Sequence, residues 1–140
     1  MSFDIRQEWV EIRQWVDAHR NTSGTNHDVW MKDLGAKALL KLAYKSFQTY
    51  CSDVLSNPLV KVSPENAIPL YLYEHKGVAF YFAKQISEED ACLILKNELQ
   101  HEALKIGLAE QDFLEQPGVL GAMHFQETLF KIKNSIHPNS

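Results

Sequence analysis

The middle of the chain, residues 70–83, reads LYLYEHKGVAFYFA and is the segment most informative about fold class. Aromatic and aliphatic residues are concentrated at its two ends, which are separated by a four-residue connection that finishes on Gly77. This composition is typical of two β-strands joined by a tight turn. The segment therefore predicts an antiparallel β-hairpin with strands at residues 70–73 and 78–83. A further short strand is predicted at residues 59–62.

Helical periodicity flanks the predicted hairpin on its N-terminal side. Residues 4–19 predict an amphipathic helix, because apolar residues recur there every three to four positions. The apolar positions of this helix are Ile5, Trp9, Ile12 and Val16. A second, longer helix is predicted to end near Leu55, since the residue before Pro58 is disfavoured in helical conformation. Between the two helices, residues 20–26 have the composition of a loop.

Helical signals also follow the hairpin. Ser87 precedes three acidic residues, a pattern that is typical of a helix start because serine caps free N–H groups and acids favour the positive end of the helix dipole. The buried positions predicted for this helix are Leu95, Leu99, Ala103 and Ile106. A last helix is predicted from about Val119 to Ile136.

Together these elements predict an α+β fold, mostly helical, in which about four to five helices pack around one small antiparallel β-hairpin or three-stranded sheet. The 140 residues match the usual size of one domain, so a single domain is predicted over residues 1–140, with residues 137–140 as a frayed tail. Two cysteines, Cys51 and Cys92, do not make a disulfide framework and are predicted to be small buried residues.

The net charge of −4 is mild, but its distribution along the chain is uneven. Residues 88–115 hold eight acidic side chains and two lysines, which gives this segment a charge of −6. No apolar run approaches the roughly 20 residues of a membrane span. The first residues become charged at Asp4 and lack the apolar core of a secretory signal. The expected location is therefore the cytoplasm, with no membrane partner.

Motifs for common catalytic and cofactor sites are absent from the sequence. The six glycines are scattered and do not form a phosphate-binding loop. No arrangement of serine or cysteine with histidine indicates a nucleophile, although a triad assembled from distant residues would leave no local pattern. The sequence therefore predicts no cofactor and leans against an enzyme.

The leading hypothesis is a non-catalytic module that binds another protein with a basic surface. Exposed acids on a helix accelerate association with a basic partner, and tyrosine-rich surfaces often supply binding energy. The candidate partner-binding residues are Glu98, Glu102, Glu110 and Asp112 for electrostatic steering, with Tyr71 and Tyr73 as anchors. In size, charge and predicted layout, the chain is similar to bacterial immunity proteins, which implies an inhibitor-like role. A second copy pairing at the exposed hairpin edge is another candidate partner.

A nucleic-acid-associated regulator is the first alternative. Lys37, Lys41 and Lys45 are spaced four residues apart and form a basic stripe on one helix face. Such a stripe can contact phosphate groups, but a nucleic-acid-binding domain is usually basic overall and this chain is acidic. A solvated helix face is therefore the favoured interpretation of the lysine stripe.

A metal-dependent enzyme is the second alternative. The weak metal-ligand candidates are Glu98, His101, His124 and Glu127, which form one Glu-x-x-His and one His-x-x-Glu pair. Metal sites in helical bundles use such pairs on inward faces, together with further acids. Helical geometry instead places His101 and Glu127 opposite the buried faces of their helices, toward water. The prediction is therefore that no metal is bound.

Overall fold

The computed structural model describes residues 3–18, 27–123 and 125–136, and all regular structure in these ranges is helical. The α-helices in chain order are α1 (Ile5–Ala18), α2 (His27–Leu55), α3 (Pro64–Lys76), α4 (Phe80–Gln85), α5 (Glu88–Ile94), α6 (Lys96–Ala109), α7 (Gln111–Leu114) and α8 (Phe125–Ile136). A single 3₁₀ turn at Gly121–Met123 precedes α8. The predicted frayed tail, the predicted loop and His124 lie outside the described residues.

The α+β prediction is wrong, because the described residues contain no β-strand. The segment predicted as the first strand of the hairpin lies inside α3, and most of the segment predicted as the second strand forms α4. Residues 59–62, predicted as a third strand, form an irregular loop between α2 and α3. The mostly helical part of the prediction is correct, whereas the sheet it was built around does not exist in the described part of the chain.

Helix α3 has clear start and stop signals that the strand interpretation overlooked. Pro64 occupies the first turn, where its missing N–H costs nothing, and Ser63 precedes it in extended conformation. Gly77 ends the helix in the left-handed conformation, with φ of 69°, which is favourable for glycine. The N–H groups of Gly77 and Val78 both donate to the carbonyl of Leu72, which closes the helix end.

Buried positions in α3 follow a helical period. Ala67, Ile68 and Leu72 are buried, which places residues one and four positions apart on one face. Pro69 lies within the helix and costs backbone stability there, typically about 3 kcal/mol. Burial of two large aliphatic side chains offsets this cost, since each contributes roughly 1.5–3 kcal/mol.

The helices predicted on either side of the hairpin segment are confirmed in part. The last helix begins at Phe125, later than the predicted Val119, and the helix predicted from Ser87 is divided at Leu95 into α5 and α6. In α1 the buried residues are the four predicted ones, Ile5, Trp9, Ile12 and Val16. Helix α2 ends at Leu55 as expected. The hydroxyl of Ser87 accepts a hydrogen bond from the N–H of Asp90 at 3.1 Å, which confirms the predicted cap of α5. The four predicted buried positions that follow it are Leu95, Leu99, Ala103 and Ile106, and all four are buried.

Contacts divide the described chain into two compact units, whose boundaries fall within α2 and α6. The middle unit comprises Phe3 and Tyr44–Leu99, and the terminal unit comprises the described parts of Asp4–Ala43 and Gln100–Ser140. The core of the middle unit includes Phe47, Cys51, Ile68, Leu72, Leu95 and Leu99. The core of the terminal unit includes Ile12, Leu39, Leu42, Leu114, Leu120 and Phe125. A single domain over residues 1–140 stays a prediction.

Candidate protein-binding surface

Exposed apolar side chains are concentrated in the middle unit. Of the thirteen large hydrophobic residues that are exposed in the described chain, nine belong to this unit. The nine residues are Tyr50, Val54, Leu59, Val60, Tyr73, Tyr81, Phe82, Leu93 and Ile94. Clustered exposed apolar side chains are unfavourable in water unless a partner covers them, so this unit is the better candidate for a binding surface.

Aromatic side chains form the most conspicuous part of this exposed surface. Tyr81 and Phe82 lie on the short helix α4 and are 82% and 70% exposed. Tyr73, on α3, is 54% exposed and contacts the ring of Phe80 with the centroids 6.3 Å apart. We refer to Tyr73, Phe80, Tyr81 and Phe82 as the aromatic patch.

The short length of α4 explains why the aromatic patch faces solvent. The helix has six residues, and within it Ala83 is the fully buried position, while Phe80 is partly buried. Helix α4 packs against α3, and the ammonium of Lys84 lies 5.6 Å from the centroid of the Phe80 ring. Consecutive residues of a helix point about 100° apart. A short helix that packs along one side therefore cannot bury two consecutive aromatic side chains. Tyr81 and Phe82 are therefore held outward by the packing of their neighbours.

Tyr71 and Glu98, two of the predicted partner-binding residues, contact each other. The hydroxyl of Tyr71 donates to Oε2 of Glu98 at 3.1 Å, and Nζ of Lys76 lies 2.7 Å from the same oxygen. The ring of Tyr71 also packs edge-on against Phe47 at 5.0 Å and lies 4.4 Å from the ring of His75. Tyr71 is thus a partly buried residue of the middle unit, and Glu98 has a cationic partner within the chain.

Hydrogen bonds to Glu98 set the ionisation of this group of side chains. Burial raises the pKa of Glu98, but the hydrogen bonds from Lys76, from its own backbone N–H and from Tyr71, together with the charge of Lys76, outweigh burial, so the pKa is lowered below its usual value. Burial and the nearby Glu98 carboxylate raise the pKa of Tyr71 to about 12. At neutral pH, Glu98 is therefore an anion with a local counter-charge, and Tyr71 is a neutral donor.

This arrangement predicts a defined pH dependence for Glu98→Gln. A carboxyl with a lowered folded-state pKa contributes stability above its unfolded pKa and loses that contribution as pH falls through the folded pKa. We expect Glu98→Gln to lower the free energy of unfolding at pH 7 by about 1.5–3 kcal/mol, the usual worth of hydrogen bonds to a charged group. The difference from wild type should shrink below the ordinary pKa of 4.5.

Urea unfolding of both proteins between pH 3 and pH 7 would measure this difference. Glu74→Gln removes the same charge from an exposed position on α3 and provides the matched control. A constant difference between Glu98→Gln and wild type across the whole range would contradict the assignment.

The remaining predicted acids and the anchor Tyr73 occupy different environments. Tyr73 and Asp112 are exposed, whereas Glu102 and Glu110 are partly buried. The Glu102 carboxylate lies 3.8 Å from Nζ of Lys105 on the same helix. Asp112 is therefore the most accessible of the four predicted steering acids. Glu88, Glu89 and Asp90 at the start of α5 are also exposed, and they extend the set of accessible acids in the middle unit.

Within α1 and α2, lysines of the predicted stripe contact neighbouring side chains. Nζ of Lys37 lies 3.1 Å from the carboxylate of Asp33, one turn earlier. Nζ of Lys41 lies 4.9 Å from the centroid of the Trp15 ring, a cation–π arrangement. Lys45 is partly buried. The ammonium groups of Lys37 and Lys41 therefore have contacts within the chain, and the charge of Lys37 is offset by the carboxylate of Asp33, which weakens the case for a phosphate-binding stripe.

The candidate metal ligands do not converge in the described part of the chain. Glu98 is bonded to Lys76 and Tyr71, and His101 is exposed, as helical geometry predicted. Glu127 lies 3.6 Å from Nζ of Lys131 on α8. No group of three or more His, Cys, Asp or Glu side chains in the described ranges could hold a metal ion. His124 lies outside these ranges, so its proposed pairing with Glu127 stays a prediction.

The loop between α2 and α3 is a second place where the middle unit exposes apolar side chains. Leu59 is 94% exposed at the loop tip, next to the exposed Val60. The side-chain oxygen of Asn57 accepts hydrogen bonds from the N–H groups of both residues, at 2.9 and 2.7 Å. A groove of about 600 Å³ lies beside the loop. Its lining combines the polar residues Ser52, Asp53, Ser56, Asn57, Lys61 and Ser63 with Pro58, Val62 and Pro64.

The most exposed aromatic side chains are absent from the partner-binding residues that the sequence predicts. The sequence places Tyr81 and Phe82 in a predicted strand, and the predicted anchors are Tyr71 and Tyr73. The signal that could have identified them is the nine-residue interval between Gly77 and the helix start at Ser87, which has room for only a short helix and holds three consecutive aromatic residues. Helix α4 lies in this interval.

No helix in the described ranges is both long enough and apolar enough to cross a membrane. The chain has no significant match among protein-family models, curated proteins or solved structures.

Proposed function

We propose that this protein is a non-catalytic module that binds another protein through the aromatic patch of its middle unit. The observation that carries the proposal is the exposure of two consecutive aromatic side chains, Tyr81 and Phe82, on a helix that packs against α3. Tyrosine and other aromatic residues dominate the binding energy of many protein interfaces. The proposal keeps Tyr73 as an anchor and assigns the partly buried Tyr71 a supporting role.

The size of the patch supports this proposal. An aromatic side chain buries about 150–250 Å² in a protein interior, so the exposed fractions of Tyr73, Tyr81 and Phe82 amount to roughly 400 Å². A standard interface buries about 800 Å² per partner, so the patch would provide about half of one, with polar and charged residues around it.

The charge of the protein favours a partner with a basic surface. Exposed acids of the middle unit include Glu88, Glu89 and Asp90, and Asp112 is exposed in the terminal unit. Such charges accelerate association with an oppositely charged protein and make the rate sensitive to salt. An acidic protein of this size that covers a basic surface would act as an inhibitor or immunity-type protein. Its proposed location is the cytoplasm.

A variant of the aromatic patch tests the proposal. We expect Tyr81→Ser/Phe82→Ser to weaken binding to the native partner at least 30-fold, since two interface aromatic side chains are each commonly worth 1–2 kcal/mol or more. The partner would be captured from host lysate with the wild-type protein, identified by mass spectrometry, and titrated with each variant by calorimetry. Circular dichroism would verify that each variant keeps its helical content.

Leu108→Ser/Phe130→Ser is the matched control, because it removes two exposed apolar side chains from the terminal unit. Equal loss of binding in both double variants would contradict a specific role for the aromatic patch. The other outcome is that the lysate yields nucleic acid, which salt releases and which Lys37→Glu/Lys41→Glu does not capture. That result would favour the lysine stripe and a regulator that binds nucleic acid.

A further inference from the structure

The geometry points to a cationic amphipathic helix as the element of the partner that the middle unit binds. This inference rests on the proposed function and specifies the chemistry of its ligand. The apolar side of such a helix would pack on the aromatic patch and on the exposed part of α5. Its lysine or arginine side chains would lie toward the acids at the start of α5.

Helix α5 combines acidic and apolar side chains on one face. Glu89 and Leu93 are four residues apart, as are Asp90 and Ile94, so each acid lies one turn before an aliphatic residue on the same face. Leu93 is 69% exposed, and Ile94 is also exposed. The exposed face of α5 therefore offers a carboxylate beside an apolar side chain twice within two turns, which matches a ligand that alternates cationic and apolar groups.

The aromatic patch and α5 are near enough for one ligand to contact both. Only Ile86 and Ser87 separate α4 from α5. The seven residues from Phe82 to Glu88 are part helical and part extended, so they span at most about 15 Å. A helix of 12 residues is about 18 Å long and would cover this distance.

A helical ligand is favoured over an extended one because of the secondary structure of the middle unit. Its described residues contain no strand, and so no sheet edge is available to pair with an extended peptide. A ligand held by side-chain packing alone has to satisfy its own backbone hydrogen bonds. An amphipathic helix does so and presents its apolar side chains as one stripe.

The acids also make a second copy or an anionic membrane a poor occupant of this surface. A two-fold contact across the surface would bring two sets of Glu88, Glu89 and Asp90 toward each other, and like charges at an interface are unfavourable. Anionic lipid headgroups would be repelled in the same way. A cationic ligand instead neutralises these carboxylates.

Three synthetic peptides would test the inference with the full-length protein. The probe is a fluorescein-labelled lysine/leucine peptide of about 18 residues, with leucines at helical spacing so that they form one stripe. The second peptide has the same composition in an order without a stripe, and the third replaces every lysine with glutamate. We expect fluorescence anisotropy to show at least tenfold weaker binding of the second and third peptides.

Variants of the protein locate the binding site. Tyr81→Ser/Phe82→Ser and Glu89→Lys/Asp90→Lys should each weaken binding of the probe peptide at least tenfold. Glu89→Gln/Asp90→Asn is the milder form of the second variant and should weaken binding by a smaller factor. Glu11→Lys/Asp17→Lys reverses two exposed charges on α1 in the terminal unit and should change the affinity less than twofold.

The inference would be overturned if all three peptides bound equally well. It would also be overturned if the two charge-reversal variants had equal effects, because either result indicates unspecific charge attraction. Absence of binding to any peptide would overturn it as well. If Tyr81→Ser/Phe82→Ser still prevented capture of a protein partner in that case, the proposed function would stand and only the helical cationic ligand would be rejected.

Discussion

Gly121→Ala should destabilise the protein by about 3 kcal/mol, because the backbone approaches this glycine too closely for a methyl group. A Cβ at Gly121 would overlap the carbonyl oxygen of Glu115 and lie 2.7 Å from its carbonyl carbon. Both are backbone atoms, so the clash can be relieved only by displacing the turn between α7 and α8. Forced repacking of this kind typically costs 1–3 kcal/mol and sometimes more.

Thermal unfolding followed by circular dichroism would measure this effect, with an expected fall in Tm of about 10 °C for a chain of this length. Gly118→Ala is the control, since it lies three residues earlier and no described atom is within 4 Å of where its Cβ would be. We expect that variant to remain within about 0.5 kcal/mol of wild type. Equal stabilities of the two variants would show that the turn does not have the described geometry.

Truncation of the buried face of α3 should have an effect of similar size. Ile68 and Leu72 are almost completely buried, and replacement of such a residue by alanine typically costs 2–5 kcal/mol. We therefore expect Ile68→Ala and Leu72→Ala each to lower the free energy of unfolding by about 3 kcal/mol in urea titrations. Tyr73→Ala, at an exposed position on the same helix, should change it much less.

These variants also distinguish a helix from the strand that the sequence suggested. In a strand over residues 70–73, Leu70 and Leu72 would share the buried face and Ile68 would lie outside the element. In α3, Ile68 and Leu72 share the buried face and Leu70 is partly buried. A larger loss for Leu70→Ala than for Ile68→Ala would contradict the helix.

Long, periodic helices were the elements that sequence reasoning predicted well. The four buried positions of α1 and the end of α2 follow from residue spacing and from Pro58, which are local properties. The serine cap of α5 is equally local, because Ser87 and Asp90 are three residues apart. Such signals act within one or two helical turns, so they do not depend on contacts with distant parts of the chain.

The hairpin prediction is wrong because aromatic content is a weaker signal in this segment than the helix boundaries. β-Propensity reflects how well side chains pack on neighbours, so tyrosine and phenylalanine are compatible with a helix when its other face is buried. Pro64 and Gly77 mark the two ends of α3. The segment between these signals is thirteen residues long, which is a usual length for a helix and long for a strand. Pro69 lies inside α3 and weakens the local helix signal, since proline in a helix interior is unfavourable.

The candidate site was only partly accessible from the sequence. Tyr73 and Asp112 were predicted to be available to a partner, and both are exposed. Tyr71 and Glu98, 27 residues apart, could not be paired by any local rule, yet they share a hydrogen bond with each other and a counter-charge from Lys76. The exposure of Tyr81 and Phe82 depends on what α3 covers, which is equally non-local.

The sequence by itself determined the extent of α1, the end of α2, the capped start of α5 and the buried faces of α1 and α6, because hydrophobic periodicity and capping act over a few residues. Only the tertiary structure decided that no sheet forms in the described chain, that Glu98 is neutralised within the protein, and that an aromatic patch remains exposed on α4. Each of these depends on contacts between segments distant in sequence. The free energy of such contacts exceeds the differences in local propensity, which are about 1 kcal/mol or less per residue.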